Sequence, residues 1–211
     1  MDQCPEWQND ASEHSAPACY RAVKNVCEAA GAKAIKVFPE EYDIKSWHFD
    51  MFHALVPLPY YAGRFRGTYS GMECLARDVH VNNVDAVPFQ LVTQAMAQLC
   101  DNYKAQLRML EVAWDNTSSS ERARRLAVII GSTIGTYIRI HPFLNGNGRT
   151  SRLFWRILLH RMGLPPQATI IRRPDSPYDN LMASAMVGNN IPLIAAILNS
   201  ITQVGVPTKL P

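Results

Sequence analysis

The sequence predicts an all-α fold, a helical bundle that carries one small β-hairpin. Apolar residues recur at helical spacing along most of the chain, and only one short stretch alternates in the way that a strand does. The chain has 211 residues, of which 47% are hydrophobic and 18% charged, so it is long and apolar enough to bury a core. These proportions exclude a disordered or fibrous protein.

Two helices are predicted before the hairpin. Apolar residues between 20 and 30 recur every three or four positions, and Gly31 supplies a stop. A second apolar stripe covers 44–55 and ends at two prolines. The chain is thereby divided into three parts: an N-terminal arm and helix over 1–40, a main domain over 41–205 and a tail over 206–211.

The hairpin is predicted within a stretch that has lost the helical spacing. Between 57 and 87, glycine, tyrosine and arginine dominate, and Val79, His80 and Val81 alternate beside a turn-prone pair of asparagines. We interpret this stretch as an irregular loop that leads into a hairpin region over 75–87.

Five helices are predicted after the hairpin. The first starts at Pro88, whose fixed φ suits a helix start, and the second at Ser118, which has capping-box spacing to Glu121. In the second helix Gly131 and Gly135 lie one turn apart and would let another helix approach closely. The remaining three helices cover 149–162, 178–187 and 192–204. Because the first of these three is apolar nearly all round, we expect it at the centre of the bundle.

Charge is divided unevenly along the chain, although the formal net charge is only +3. Residues 1–120 carry 10 basic and 15 acidic side chains, whereas residues 121–211 carry 11 basic and 3 acidic ones. Ten of those eleven basic residues are arginine, whose planar fork matches phosphate and carboxylate. The C-terminal part therefore favours an anionic ligand such as a nucleotide, a nucleic acid or an acidic partner.

The five cysteines, at 4, 19, 27, 74 and 100, are odd in number, widely spaced and without a CxxC pair. We therefore expect no disulfide framework and no zinc site, and a reducing compartment. The acidic N-terminus does not resemble a secretory signal, and the longest apolar stretch, 126–140, is too short and too polar to span a bilayer. We expect the protein to act in a cytoplasm, its own or that of a cell into which it is delivered.

The chemistry is concentrated in 141–152, HPFLNGNGRTSR, between the two most apolar helices. This stretch places His141 at the end of one helix and two glycines at the start of the next. A helix N-terminus has backbone N–H groups without partners and a partial positive charge, so it attracts anions. Arg149 and Arg152 project from one side of the first turns, where both can bind phosphate oxygens.

Each of these features also has a purely structural interpretation. A histidine at a helix end is often a hydrogen-bonded structural residue, a Gly-Asn-Gly stretch is often a turn, and two arginines three apart are often a solvated face. All of them fall within twelve residues between two apolar helices, however. That concentration favours a phosphate site with a histidine at its rim.

The same twelve residues resemble the signature of the Fic family, His-x-Phe-x-Asp/Glu-Gly-Asn-Gly-Arg-x-x-Arg. Seven of the eight defined positions match, namely His141, Phe143, Gly146, Asn147, Gly148, Arg149 and Arg152. The stretch 61–66, the hairpin region and the closing pair of helices are also similar to a Fic domain, so the resemblance covers about residues 40–205. It implies a Fic-type helical bundle in which the hairpin is a flap.

The resemblance implies transfer of a nucleotide monophosphate, usually AMP from ATP, to a hydroxyl of a protein target. On this template His141 is the general base that takes the proton from a Ser, Thr or Tyr side chain. The backbone N–H groups of Gly146, Asn147 and Gly148 hold the phosphates and the charge that develops in the transition state.

The resemblance also assigns roles to the remaining motif residues and to the hairpin. Arg149 and Arg152 pair with the outer phosphates of ATP, and Phe143 is a buried anchor of the loop. The hairpin over 75–87 resembles the family's flap, onto which a segment of the target adds as a strand. The docking residues of this flap are Val79, His80 and Val81.

The chain departs from the signature at Asn145, where the family has the Asp or Glu that holds Mg²⁺ on the nucleotide phosphates. An amide oxygen can bind Mg²⁺ but brings no charge, so we expect Asn145 to be a weakened metal ligand. Three interpretations stay open. The chain is a transferase whose Mg²⁺ is held mainly by the nucleotide, a transferase of a different phosphate-containing group, or a nucleotide-binding module with weak or no transfer.

We expect no built-in inhibitory helix. The family's inhibitory pattern, Ser/Thr-x-x-x-Glu-Gly/Asn, is approached only from Thr117 to Glu121, where Arg122 replaces the Gly or Asn. Any inhibitor would then be a separate protein. The expected partner is a target protein with a hydroxyl side chain, while nucleic acid is disfavoured because aromatic residues are not interleaved with the arginines, and no membrane partner is expected.

Overall fold

The computed structural model describes residues 4–7, 21, 24–26, 28–29, 37–81, 83–164 and 178–210. These residues include six complete α-helices and one two-stranded antiparallel sheet, which confirms the all-α class with a small hairpin. The helices are α1 (Glu41–Phe52), α2 (Val92–Val112), α3 (Ser119–Ile140), α4 (Asn147–Arg161), α5 (Tyr178–Met186) and α6 (Ile191–Val204). The strands are β1 (His80–Val81) and β2 (Val84–Asp85).

The predicted N-terminal helix is only partly within the described residues. Residues 21, 24–26 and 28–29 are helical, whereas Gly31, which was predicted to end the helix, lies outside the described part. Within that part, no helix combines the length and apolar character needed to cross a bilayer.

α3 has the most helical neighbours in the bundle, and α4, which was predicted to be central, is buried on nearly every side. α3 packs against α2, α4, α5 and α6, whereas α4 packs mainly against α1 and α3. Only Gly148 of α4 is exposed, as the apolar pattern of this helix predicts. The neighbours of α3 depend also on how closely they can approach. A Cβ on Gly131 would lie 2.5 Å from Ile194 Cγ1, and one on Gly135 would lie 2.0 Å from Asn190 Oδ1. The predicted close approach of a helix at these glycines is confirmed, and that helix is α6.

Four helices meet at an aromatic cluster behind the first turns of α4. The ring of Phe154 on α4 lies 6.3 Å from that of Trp47 on α1, 5.4 Å from that of Tyr103 on α2 and 6.1 Å from that of Tyr137 on α3, between centroids. Aromatic pairs at these distances add to the stabilisation from burial. The start of α4 is therefore fixed relative to all three neighbours.

Ser118 caps α3, as its spacing predicted. Its Oγ accepts a hydrogen bond from Glu121 N at 3.3 Å, while the Glu121 carboxylate pairs with Arg125 Nε at 2.7 Å. α3 has 22 residues, so this cap lies about 30 Å from His141 at the other end of the helix. Glu121 is therefore too far away to reach the motif.

The hairpin lies where the sequence predicts it but is short. β1 pairs antiparallel with β2, and Ala86 N extends the ladder by donating to Val79 O at 3.0 Å. Asn83 adopts the left-handed φ of 62° that a tight turn requires, and Asn82 lies outside the described residues.

A disulfide joins Cys4 to Cys74, contrary to the sequence prediction. The two residues are 70 positions apart, and they meet only because the N-terminal segment folds back on the domain, which their spacing does not reveal. Cys100 is free and buried, and Cys19 and Cys27 lie outside the described residues. The expectation of a reducing compartment rested on an absence of pairing, so the disulfide removes its basis.

Candidate functional site

His141 lies where α3 ends and the motif loop, residues 141–146, begins. It is the C-cap of α3, with φ 50° and ψ 59°, a left-handed conformation that is uncommon for a residue with a side chain. Its Nδ1 lies 3.4 Å from the Ile138 carbonyl oxygen. Because a carbonyl oxygen can only accept, Nδ1 carries the proton and Nε2 keeps its lone pair.

The His141 imidazole is neutral at pH 7. Burial lowers its pKa from 6.5 to about 4, against the hydrogen bond to Ile138, which raises the pKa, while the nearby Arg66 charge lowers it further. The ring is still partly exposed. A half-buried neutral histidine with Nε2 as an acceptor has the protonation state that a general base needs.

The N-terminus of α4 is closed by packing at one glycine and open at the next. Gly146, the N-cap, has φ 78°, and a Cβ there would lie 2.5 Å from the Phe52 ring. Gly148 is exposed, and an added Cβ would meet no atom of the described residues within 4 Å. The N-cap is a glycine and so brings no capping side chain to this helix end. A ligand with negative charge can therefore approach the backbone of α4 at Gly148.

Asn147 and Phe143 hold the motif loop in shape. Asn147 Oδ1 accepts from Phe143 N at 3.0 Å, and Asn147 Nδ2 donates to Phe143 O at 2.8 Å. Phe143 is fully buried and stacks on the His48 ring, with 3.6 Å between centroids. His48 accepts from Gly63 N at Nδ1 and lies 2.9 Å from Asn145 O at Nε2, which therefore donates. The loop is thus fixed from α1 as well as from α4.

The two motif arginines lie on one side of α4 but in different environments. Arg149 is half-buried, and its guanidinium lies 5.7 Å from the Phe52 ring centroid. Arg152 is only 6% exposed, and its guanidinium lies 4.9 Å from the Tyr178 ring centroid. The Tyr178 hydroxyl donates to Gly148 O at 3.3 Å. α5 therefore closes against the first turn of α4 and holds Arg152 in place.

Asn145 is engaged at both ends of its amide. Nδ2 donates to Trp7 O at 2.9 Å, and Oδ1 accepts from Gly146 N at 2.7 Å. In the described part of the chain, no three His, Cys, Asp or Glu side chains gather into a group that could hold a metal ion. The motif loop therefore offers Mg²⁺ an uncharged oxygen that already accepts a hydrogen bond, and no carboxylate.

Arg66 joins the candidate base to the hairpin, a role that its sequence position did not reveal. Its side chain is fully buried. It donates hydrogen bonds to four carbonyl oxygens, those of His141 at 2.8 Å, Ile140 at 2.9 Å, Val87 at 2.8 Å and Arg77 at 3.2 Å. These carbonyls belong to the end of α3 and to both sides of the hairpin. The resemblance of 61–66 to the family was the only sequence signal near it.

The three predicted docking residues lie on the hairpin, and two of them face the motif loop. A cavity of about 330 Å³ opens between the hairpin, the motif loop and the N-terminal residues, with Val79, His80, Leu144 and Trp7 in its walls. His80 is exposed and bonds Asp85 across the strands. Val81 packs against the core. The hairpin therefore borders the space in front of the motif loop.

The fold and the site together define a class of protein. It is an all-α domain in which an arginine-bearing helix N-terminus, with a neutral histidine beside it, opens next to a hairpin. A model of the Fic/DOC family matches residues 38–159, more than half of the chain. The chain belongs to the Fic/DOC family.

Curated relatives carry the name protein adenylyltransferase Fic, among them those of Drosophila grimshawi and Drosophila melanogaster. Each is 33% identical to this chain over 93 residues, which is 43% of this chain and 19% of the relative. The match therefore spans less than a fifth of those proteins.

Solved structures share the fold. The BepC protein of Bartonella tribocorum, a VirB-translocated effector crystallised with bound AMPPNP, superposes with a TM-score of 0.58 at 14% identity over 98% of this chain and 95% of that chain. A Fic domain containing signaling protein from Bacteroides thetaiotaomicron gives a TM-score of 0.57 at 17% identity over 93% and 74% of the two chains. At these identities the likeness shows the fold alone.

Proposed function

We propose that this chain is a protein adenylyltransferase, which transfers AMP from ATP to a Ser, Thr or Tyr hydroxyl of a target protein. The observation that carries the proposal is the neutral His141, with Nδ1 directed at Ile138 and Nε2 left as an acceptor, next to the open N-terminus of α4. Membership of the Fic/DOC family and the adenylyltransferase names of the curated relatives support it.

In the proposed reaction His141 acts as general base. Nε2 takes the proton of the target hydroxyl while the hydroxyl oxygen attacks the α-phosphorus of ATP. The bond from that phosphorus to the oxygen bridging to the β-phosphate breaks, and pyrophosphate leaves with this oxygen on the opposite side. The histidine then releases its proton to water. Because the pKa of His141 is about 4, the ring is already neutral at pH 7 and has no proton to lose first.

The start of α4 would bind the phosphates. The N–H groups of Asn147 and Gly148 lie in the first turn, where intrahelical acceptors are absent. Gly146 N already donates to Asn145 Oδ1, so we assign Gly146 to the shape of the turn. Arg149 and Arg152 would pair with the outer phosphates as charge-assisted donors.

The residues present fit a tightly held Mg²⁺ poorly. When it accompanies ATP, Mg²⁺ neutralises charge on the phosphates. Because the motif loop brings it no carboxylate, the nucleotide's own phosphates would be its main ligands, and we assign no step to a metal held by the protein.

The target segment would dock on the hairpin as an added strand, near Val79, His80 and Val81. This arrangement would bring a hydroxyl to the cavity that borders the motif loop. Control by a separate inhibitor protein is part of the same proposal.

The test is transfer of label from ATP. Incubation with α-³²P-labelled ATP, Mg²⁺ and cell lysate should label a protein band, and His141→Ala should abolish the labelling, while His53→Ala, at an exposed histidine, should not. Intact-mass measurement of the labelled protein should show the mass of one AMP unit. Equal labelling by the His141→Ala variant would contradict the mechanism. A different added mass would show that the transferred group is not AMP.

A second candidate function is nucleotide binding without transfer, which the uncharged Asn145 favours. It keeps the phosphate site and predicts ATP binding in calorimetry together with no labelled product. A labelled product that depends on His141 would exclude it.

A further inference from the structure

Residues 4–7 run from Cys74 to the motif loop, although they are far from both in sequence; we call them the strap. The carbonyl of Trp7, the last strap residue, accepts a hydrogen bond from Asn145 Nδ2 at 2.9 Å. The Pro5 carbonyl accepts a hydrogen bond from the Tyr61 hydroxyl at 3.0 Å. A disulfide joins Cys4, the first strap residue, to Cys74. The strap is thus attached at both ends and in the middle.

The Trp7 side chain adds an apolar contact to these attachments. Its ring lies edge-on to His48 and to Phe52, at centroid distances of 5.7 Å and 5.4 Å. Both rings support the loop, since a Cβ on Gly146 would lie 2.5 Å from Phe52 and 3.0 Å from His48 Nε2. Phe52 also lies 5.7 Å from the Arg149 guanidinium. The strap therefore packs on the rings that set the position of the loop and of one motif arginine.

An ionised carboxylate at position 145 could not complete this arrangement. The Asn145 side chain donates to one carbonyl and accepts from one N–H group at the same time, whereas an ionised carboxylate can only accept. An Asp here would place a negative oxygen against the Trp7 carbonyl oxygen. The departure from the family signature thus coincides with the contact that holds the strap.

We propose that Asn145 is the latch of the strap, and that the latched strap is a positioning element which holds the motif loop ready for the nucleotide phosphates. The second half of this inference rests on the proposed function, because it takes ATP as the ligand. The first half concerns the protein alone.

Two measurements on the full oxidised chain test the inference. The first is the rate at which chymotrypsin cuts after Trp7, followed by mass spectrometry after reduction. The second is the affinity for ATP by calorimetry in EDTA, where a carboxylate at 145 gains nothing from a metal. Loss of one latch hydrogen bond should raise the cleavage rate after Trp7 by about tenfold in Asn145→Asp. The affinity for ATP should fall in the same variant.

Removing the disulfide should have the same two effects, because it releases the other end of the strap. A variant with Cys4→Ser and Cys74→Ser should be cut faster by chymotrypsin after Trp7 and should bind ATP more weakly. Adding Asn145→Asp to it should change little more, since both changes act through the strap. Asn189→Asp, the same change at an exposed site between α5 and α6, is the matched control and should alter neither quantity.

An unchanged rate of cleavage after Trp7 in Asn145→Asp would overturn the latch. The latch would also be overturned if Asn145→Asp raised this rate by the same factor with and without the disulfide. Circular dichroism at each step identifies a variant that fails to fold, in which case Asn145→Ser, a smaller change, takes its place. Faster cleavage with unchanged ATP affinity would overturn the positioning role alone. If the wild-type chain does not bind ATP at all, the proposed function fails, while the cleavage data still decide the latch.

Discussion

The side chain of His141 shows how burial sets chemistry at the scale of one residue. Its pKa of about 4 lies well below the usual 6.5, because the ring loses solvent at the end of α3. Protonation of His141 would stop it from acting as a base, and the fraction protonated becomes appreciable only when the pH approaches that value.

We therefore expect kcat/KM for transfer to stay nearly constant from pH 8 to pH 6 and to fall only at lower pH. The measurement is initial rate against pH at low substrate concentration, with circular dichroism at each pH to confirm that the chain is folded. An acid limb centred near 6.5 would show that the imidazole titrates as a solvated histidine.

Arg66 acts through its shape as well as its charge. A lysine at this position would keep the charge, but all its N–H donors lie on one nitrogen. It could not reach carbonyls at the end of α3 and on both sides of the hairpin at the same time. We expect Arg66→Lys to lower the free energy of unfolding by about 3 kcal/mol or more, because buried carbonyls lose their partners. Arg64→Lys, two residues away and exposed, is the control and should be nearly neutral in urea unfolding. Similar midpoints for both variants would contradict the role given to Arg66.

At the scale of the element, the start of α4 holds two glycines in different environments. Gly146 has a positive φ and is packed against Phe52, whereas Gly148 is helical and exposed. The same substitution should therefore have opposite effects on stability at the two positions.

We expect Gly146→Ala to destabilise the fold by about 3 kcal/mol or more, from the clash and the strained backbone together. Gly148→Ala should instead stabilise the helix by up to about 1 kcal/mol, because alanine is the better helix former. It should nevertheless weaken ATP binding, since its methyl group occupies the approach to the backbone. Thermal unfolding and calorimetry measure the two effects. Undiminished ATP affinity in Gly148→Ala would show that the phosphates do not approach α4 there.

At the scale of the whole molecule, buried neutral histidines make stability depend on pH. Burial lowers the pKa of His48 to about 3 in the folded chain, against the hydrogen bond with Asn145, while the unfolded chain has the ordinary value of 6.5. Between these values the unfolded state binds more protons, so the free energy of unfolding must fall as the pH falls. Well above pH 6.5 neither state binds a proton at this residue, and the dependence disappears.

We expect the free energy of unfolding to decrease by about 3 kcal/mol from His48 alone between pH 6.5 and pH 4, with His141 adding to the loss. Urea titrations at several pH values measure this slope. His48→Gln should lower stability at pH 7 but flatten the slope, because the side chain no longer titrates. An equally steep slope in that variant would assign the pH dependence to other groups.

The local features of this fold followed from short stretches of sequence. Helix spacing, the Ser118 cap, the turn with Asn83 and the close approach at Gly131 each depend on a few neighbouring residues, and the structure has them. The absence of a disulfide was predicted wrongly, since the Cys4–Cys74 pair depends on which distant segments meet. For the candidate site, the sequence brought the motif residues together in one loop because they are consecutive.

By itself, then, the sequence determined the all-α class, the position of the hairpin and a contiguous motif that puts a histidine beside a glycine-rich helix start, because periodicity and a contiguous motif are local properties. Only the tertiary structure decided that Arg66 ties His141 to the hairpin, that His48 braces the loop and that Asn145 meets Trp7. The contacts Arg66–His141, His48–Asn145 and Asn145–Trp7 join residues 75, 97 and 138 positions apart, and no spacing rule connects such residues. They exist because a buried or bonded polar group needs a partner, and the folded chain supplies the nearest one.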